Sequence, residues 1–221
     1  IVLKELLEVF HERWKHVDRK TAQIAFNLYN FKNKRIAFYG SSDAMLSLVD
    51  ICVHHHVQSI VIQIFGNNDK EAKEQVKQMI SKNVDIQVVD LYNLARMENE
   101  IDFIILTSDI IMQDKFISKA GTNLILLWAK DHHIPVLVLS DSRKILNTKI
   151  LPTSIIDSFV KEAPKSKSDI WKGAPEEVTI TNYHLEEVKN EEINFFILEQ
   201  QAYPPNELSQ VVDKILVSKF I

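Results

Sequence analysis

The sequence has 221 residues, 46% of them hydrophobic, and a formal net charge of −4. That length allows one large domain, or one domain with a small extension; no apolar run approaches the roughly 18 residues of a membrane-spanning helix, and the acidic balance offers no general attraction to nucleic acid or an anionic membrane. A single cysteine, Cys52, excludes an internal disulfide framework and suits a reducing compartment.

Taken in order, Leu3, Leu6, Leu7, Phe10 and Trp14 recur at helical spacing. They predict an amphipathic helix over residues 3–16 that packs on the body or on a partner chain, and not a secretory signal. Asp18 is placed to cap a second helix bearing Ala22, Ala25, Phe26 and Tyr29. Residues 35–39 form the first core strand and run into Gly40, Ser41, Ser42 and Asp43 ahead of a helix over 44–55. Hydroxyls there can cap the helix or help its free amides hold an anion, and capping needs no ligand to explain it. The adjacent His54, His55 and His56 point in different directions around that helix, which argues against a metal site.

A second strand over 59–64 ends at Phe65, Gly66, Asn67, Asn68 and Asp69. A charged helix follows to residue 83, with Ala72, Val76, Met79 and Ile80 as its inward stripe. Residues 85–89 make a third strand, and 92–97 a short turn or helix. The stretch from 101 to 140 is the most informative. A continuous apolar run to Leu106 reads as a parallel strand covered on both faces. Thr107, Ser108 and Asp109 form a polar loop at its carboxyl end, where open α/β sheets place ligands. Gly121 and Thr122 open a helix with Leu124, Leu127 and Trp128 on one side, and Pro135 admits the strand 136–139.

After Ser140 the chain is less regular. Residues 141–180 read as a long surface connection anchored by Phe159 and Trp171, followed by a buried strand over 193–198. Pro204 and Pro205 then lead into a final helix through Leu208, Val212 and Ile215. Strands alternating with helices imply right-handed crossovers and a mostly parallel, doubly wound sheet. The expected organisation is a short helical extension over 1–33 and a Rossmann-like α/β domain over 34–221. The only four glycines, Gly40, Gly66, Gly121 and Gly173, all fall where the backbone turns or comes close to something. No glycine-rich phosphate loop exists, so neither dinucleotide nor Walker-type binding is predicted, and no cofactor is expected.

Several segments together resemble a known family. Ser118-Lys119-Ala120-Gly121-Thr122 stands where that family has Asn-Lys-Ile-Gly-Thr, and Ala129-Lys130-Asp131-His132-His133-Ile134-Pro135-Val136 follows its charged pair and His-Asn-Ile-Pro segment. Ile170-Trp171-Lys172-Gly173-Ala174-Pro175-Glu176, then Asn182-Tyr183-His184-Leu185-Glu186, then residues 193–199 ahead of Tyr203-Pro204-Pro205, keep its order. Over residues 34–217 the chain thus resembles the alpha, beta and delta regulatory subunits of translation initiation factor 2B. That family also includes methylthioribose-1-phosphate and ribose-1,5-bisphosphate isomerases. The resemblance implies a Rossmann-like domain behind a helical one, a homodimer or hetero-oligomer formed through the α/β part, initiation factor 2 or 2B components as partners, and a cytoplasmic location without direct nucleic-acid binding.

The departures from the family bear on catalysis. The isomerases carry a substrate-binding Arg-Gly-Ala segment in a long helical domain, and residues 1–33 contain none. Their catalytic cysteine follows the first core strand, where the resemblance places Tyr39; Cys52 lies mid-helix. Their catalytic aspartate falls in the register of Ser108, with Asp109 one place on and reachable by a one-residue loop adjustment. Lys119 matches the family's phosphate-neighbouring lysine, although an exposed lysine needs no partner. Sugar isomerisation requires an acid–base pair held at the sugar carbons. The leading expectation is therefore a non-catalytic regulatory protein that binds a sugar phosphate or nucleotide through Ser41, Ser42, Ser108, Lys119 and Thr122. An isomerase using Asp109, Lys119 and Ser41 is the alternative, and a degenerate structural subunit the second.

Overall fold

The computed structural model describes residues 2–14, 16–66, 69–148, 154, 158, 160 and 166–219. Two helices come first, α1 (Val2–Trp14) and α2 (Val17–Leu28). Four parallel strands follow: β1 (Lys34–Tyr39), β2 (Ser59–Phe65), β3 (Asp85–Asp90) and β4 (Phe103–Leu106). Helices α3 (Asp43–His54) and α4 (Lys70–Ile80) connect the first three, and a 3-10 helix (Leu91–Arg96) precedes β4. A hairpin of β5 (Ile110–Ile111) and β6 (Lys115–Lys119) leads into α5 (Thr122–Asp131) and β7 (Val136–Leu139). The chain then adds β8 (Leu185–Lys189), β9 (Phe195–Ile197), β10 (Ala202–Tyr203) and a closing helix, Pro205–Lys219.

The main sheet has seven strands in the order β10-β9-β7-β4-β1-β2-β3, all parallel except the β10–β9 pair. The order reverses between β1 and β4, which is the switch point of a doubly wound sheet. Both faces are covered because the strands read as apolar runs in which alternate residues serve opposite cores. Ala37, Tyr39, Ile62, Ile64, Ile104 and Leu106 pack with Ile125 and Ala129 of α5 and Leu208 and Val212 of the closing helix. Ile36, Phe38, Val61, Ile105 and Leu137 pack with Ala22 and Ala25 of α2 and Met45 and Leu48 of α3.

Several sequence expectations change here. The segment after Leu106 is not only a polar loop: β5, β6 and β8 form a second, three-stranded antiparallel sheet. On α5 the inward residues are Thr122, Ile125, Leu126 and Ala129, while Leu124 and Leu127 are exposed at 59% and 68%. The helix is apolar nearly all round, so its periodicity does not choose a face. On α4 Ile80 is exposed and Gln75 is buried in the inward stripe with Ala72 and Met79. Asp18 lies in the first turn of α2, whose cap position is His16 and carries no side-chain cap. Leu7 and Phe10 of α1 are exposed. Trp171 is half exposed and not a buried anchor, and Phe159 lies outside the described residues.

Candidate functional site

The carboxyl ends of β1 and β4 meet tightly. Gly40, at φ +95°, sits where an added Cβ would come within 2.5 Å of Thr107 Oγ1. Behind it two buried glutamines tie the loop down. Gln63 donates to the carbonyls of Phe38 (3.2 Å) and Gly40 (3.1 Å), and Gln75 donates to the Gln63 side-chain oxygen at 2.9 Å. Gln75 also accepts the Ser42 amide at 2.9 Å, and Ser42 Oγ accepts the amide of Met45 at 3.2 Å as the cap of α3. Ser42 therefore works as a helix cap, and Ser41 lies beside it, half-buried. The glutamine pair was missed by sequence reasoning; a polar residue centred in the run Ser59–Phe65 was its only sign.

Ser108 is fully buried and donates to Ser140 Oγ at 2.8 Å, while Lys144 Nζ donates to the Ser108 carbonyl at 2.7 Å. Thr122, also buried, donates to the carbonyl of Lys119 (2.7 Å) and to Ser118 Oγ (3.1 Å), as a hydroxyl at a helix start commonly does. Asp109 keeps a solvent-facing surface, and its amide bonds Ile117 O at 2.8 Å. Partial desolvation of its carboxyl group raises the pKa, against the pull of Lys144 and His184. Cys52 is buried in the α3 core and burial pushes its thiol up to about 11, a packing residue without nucleophilic character. The expected site residues thus divide into three sets, each engaged with its own neighbours.

Lys119 ends β6 and forms an ion pair with Asp69, both side chains nearly closed to solvent at 12% and 3% exposure. Its ammonium also lies 5.2 Å from the centroid of the Tyr39 ring. Asp69 is fixed in turn as the cap of α4, accepting the Ala72 amide at 3.2 Å and the Gly66 amide at 3.3 Å. Tyr39 is 1% exposed and its hydroxyl donates to the carbonyl of Ala120. Burial first, then the nearby carboxylates of Asp69 and Glu186, hold its pKa well above the ordinary phenol value. It is a neutral donor, not a base. The ring fits only because two glycines flank it: a Cβ at Gly121 (φ +104°) would lie 2.6 Å from the Tyr39 hydroxyl and 2.7 Å from Leu91 Cδ2, and one at Gly66 would lie 3.2 Å from the same hydroxyl.

The start of α5 is occupied as well. Glu186, on β8, accepts the amides of Gly121 (3.1 Å) and Asn123 (2.7 Å) through one carboxylate oxygen. A carboxylate at a helix N-terminus satisfies the unpaired amides and the positive end of the helix dipole, as an anionic ligand would. What remains outside is a depression of about 480 Å³ over Tyr39, Lys119 and Gly121, with exposed Tyr92, Leu124 and Tyr183 around it. A larger cavity of about 740 Å³ lies at the opposite, amino-terminal ends of β1, β2 and β3, away from these groups. Among the described residues no cluster of three or more His, Cys, Asp or Glu is placed to hold a metal ion, and no helix is long and apolar enough to cross a membrane.

Comparison with known proteins bears on the family and the fold. The profile of the Initiation factor 2 subunit family matches residues 2–205. Among solved structures, the chain is similar to the translation initiation factor eIF-2B of Pyrococcus horikoshii OT3, with a TM-score of 0.79 at 19% identity over 95% of this chain and 72% of that one. It is similar to the delta subunit of eIF-2B from A. fulgidus, with a TM-score of 0.74 at 16% identity over 93% of this chain and 64% of that one. The 5-methylthioribose 1-phosphate isomerase of Pyrococcus horikoshii OT3 gives 0.71 at 12% identity, over 93% of this chain and 62% of the enzyme. The chain therefore spans less than two thirds of the last two proteins. A comparison with curated protein sequences finds no match. At these identities the likeness carries the fold, which both initiation-factor subunits and an isomerase share.

Proposed function

The chain belongs to the Initiation factor 2 subunit family, and within it we propose a non-catalytic, regulatory subunit of the factor 2B kind that acts by binding protein partners. Tyr39 carries this reading. It fills the end of the first core strand with a neutral, hydrogen-bonded phenol. Around it the two features that would attract a phosphorylated ligand, the Lys119 ammonium and the α5 amides, are matched by Asp69 and Glu186. Among the described residues no proton-transfer pair stands open to a sugar there, because Lys119 is paired and Asp109 lies in a separate set. In this reading the site holds its own anions in place of the sugar phosphate or nucleotide that the sequence suggested. Initiation factor 2 or 2B components are the proposed partners, through assembly of the α/β domain.

Thermal unfolding in the presence of ribose-1,5-bisphosphate, methylthioribose-1-phosphate and nucleotides tests the proposal. A ligand at about 100 times its dissociation constant stabilises by roughly 2.7 kcal/mol, so a true ligand gives a visible shift. The expected result is no shift and no turnover of either sugar phosphate. Turnover that disappears in Asp109→Asn would establish the isomerase reading instead.

A further inference from the structure

The main sheet ends on β3, whose outer edge pairs with no strand among the described residues. Helix α4 covers this end of the sheet incompletely. Val88, on the α4 side of β3, is 47% exposed, and Ile80 at the end of α4 is 64% exposed. Between helix and strand runs a groove of about 590 Å³ with Phe65, Val76 and Val88 in its apolar part. Lys70, Lys73 and Lys77 line it at helical spacing i, i+3 and i+7, along one flank of α4. Lys77 is paired with Glu74 at 2.6 Å, the one acidic side chain in the lining. Lys70 and Lys73 are exposed and form no ion pair among the described residues. In a chain of net charge −4 the groove lining holds a local excess of positive charge beside exposed apolar surface, while exposed Asp85 and Asp90 stand at the two ends of the free strand edge.

Each feature has a physical consequence. A free edge offers unpaired amides and carbonyls to an incoming strand, and proteins ordinarily blunt such edges or use them. The exposed Val88 and the part-buried Phe65 give an added strand's side chain something to cover. The lysine row sets the sign of the partner's charge. We propose that the β3–α4 groove docks an extended acidic peptide segment of a partner protein. Its main chain adds to the edge of β3, an apolar side chain covers Val88 and Phe65, and flanking carboxylates meet Lys70 and Lys73. A second copy of this chain fits worse. Pairing β3 with its own copy about an axis normal to the sheet would set one lysine row beside the other, and like charges there oppose pairing.

The test uses the 15N-labelled chain and a short soluble peptide with one isoleucine set among glutamates. Titration is expected to move the amides of residues 85–90 and 70–77 and to saturate, more weakly as salt is raised. Lys70→Glu with Lys73→Glu should weaken binding by about tenfold or more, and Val88→Asp likewise, with the rest of the spectrum unchanged. The same peptide with lysine in place of glutamate should not bind. Equal binding of the lysine peptide, shifts centred elsewhere, or no saturation would overturn the proposal. So would self-association of the parent that Val88→Asp abolishes, since the edge would then belong to a second copy.

Discussion

Helix α4 carries two kinds of charge, and they behave oppositely. At its start, Asp69 is 3% exposed and spends its carboxylate on Lys119 and on the helix amides. Along its outer flank, Lys70 and Lys73 stand in solvent and form no ion pair among the described residues. A buried charge must bring its partner with it, because desolvation leaves no other way to hold it. An exposed charge costs nothing to leave unpaired and remains available to another molecule. The difference separates a site the protein has completed for itself from a surface it leaves open.

Asp69→Asn tests the closed side of that contrast most severely. Asparagine keeps the cap of α4, so the change isolates the loss of charge opposite a buried ammonium. Breaking such a pair costs about 3–5 kcal/mol, read as a lower urea midpoint with an unchanged slope. Lys70→Glu with Lys73→Glu, a few residues away, should stay within about 0.5 kcal/mol of the parent. Equal effects from both would erase the distinction between the two regions.

Gly121→Ala asks whether Tyr39 is what closes the site. The alanine Cβ would meet the Tyr39 hydroxyl at 2.6 Å and Leu91 at 2.7 Å, on a backbone with φ near +104°. Crowding and the left-handed conformation together should cost about 2–4 kcal/mol. In a Tyr39→Phe background the hydroxyl is gone, and part of that cost should be recovered. Purely additive effects would show that the strain lies in the backbone and the Leu91 contact, not at the Tyr39 hydroxyl.

How much of this was legible in sequence follows from where each signal resides. The strands that end at Leu106 and Leu139 were readable because covered parallel strands are short, unbroken apolar runs. The second sheet was not, because β5 has only two residues and β6 pairs with β8 across the intervening α5 and β7. Its pairing is a tertiary fact, which local propensity does not encode. Gly66 and Gly121 correctly marked close approaches, and the structure supplies what approaches them: the Tyr39 ring. Lys119 and Thr122 were recognised as residues suited to an anion. That Asp69 would meet Lys119 and Glu186 the amides on either side of Thr122 required the fold, since Asp69 reaches Lys119 from the start of α4 and Glu186 reaches α5 from β8.

Asp141 offers a milder version of the closed case, one that pH can open. It is 3% exposed, and Arg143 donates to it through Nε at 2.7 Å, Nη2 at 3.0 Å and its backbone amide at 2.9 Å. Burial by itself would raise the carboxyl pKa; the Arg143 side-chain and backbone hydrogen bonds outweigh it and hold the group below its ordinary 3.8. A carboxylate depressed in the folded state binds its proton more readily when unfolded. It therefore contributes stability above the unfolded pKa and loses it as pH falls through the folded one. Asp141→Asn should cost about 1.5–3 kcal/mol near neutral pH, the range for a hydrogen bond to a charged group. The gap between variant and parent should narrow steadily as urea unfolding is repeated from pH 5 down to about pH 2. A gap that stays constant over that range would mean Asp141 acts by shape and not by charge, and the contrast between self-completed and open charges would then rest on Lys119 and Asp69 alone.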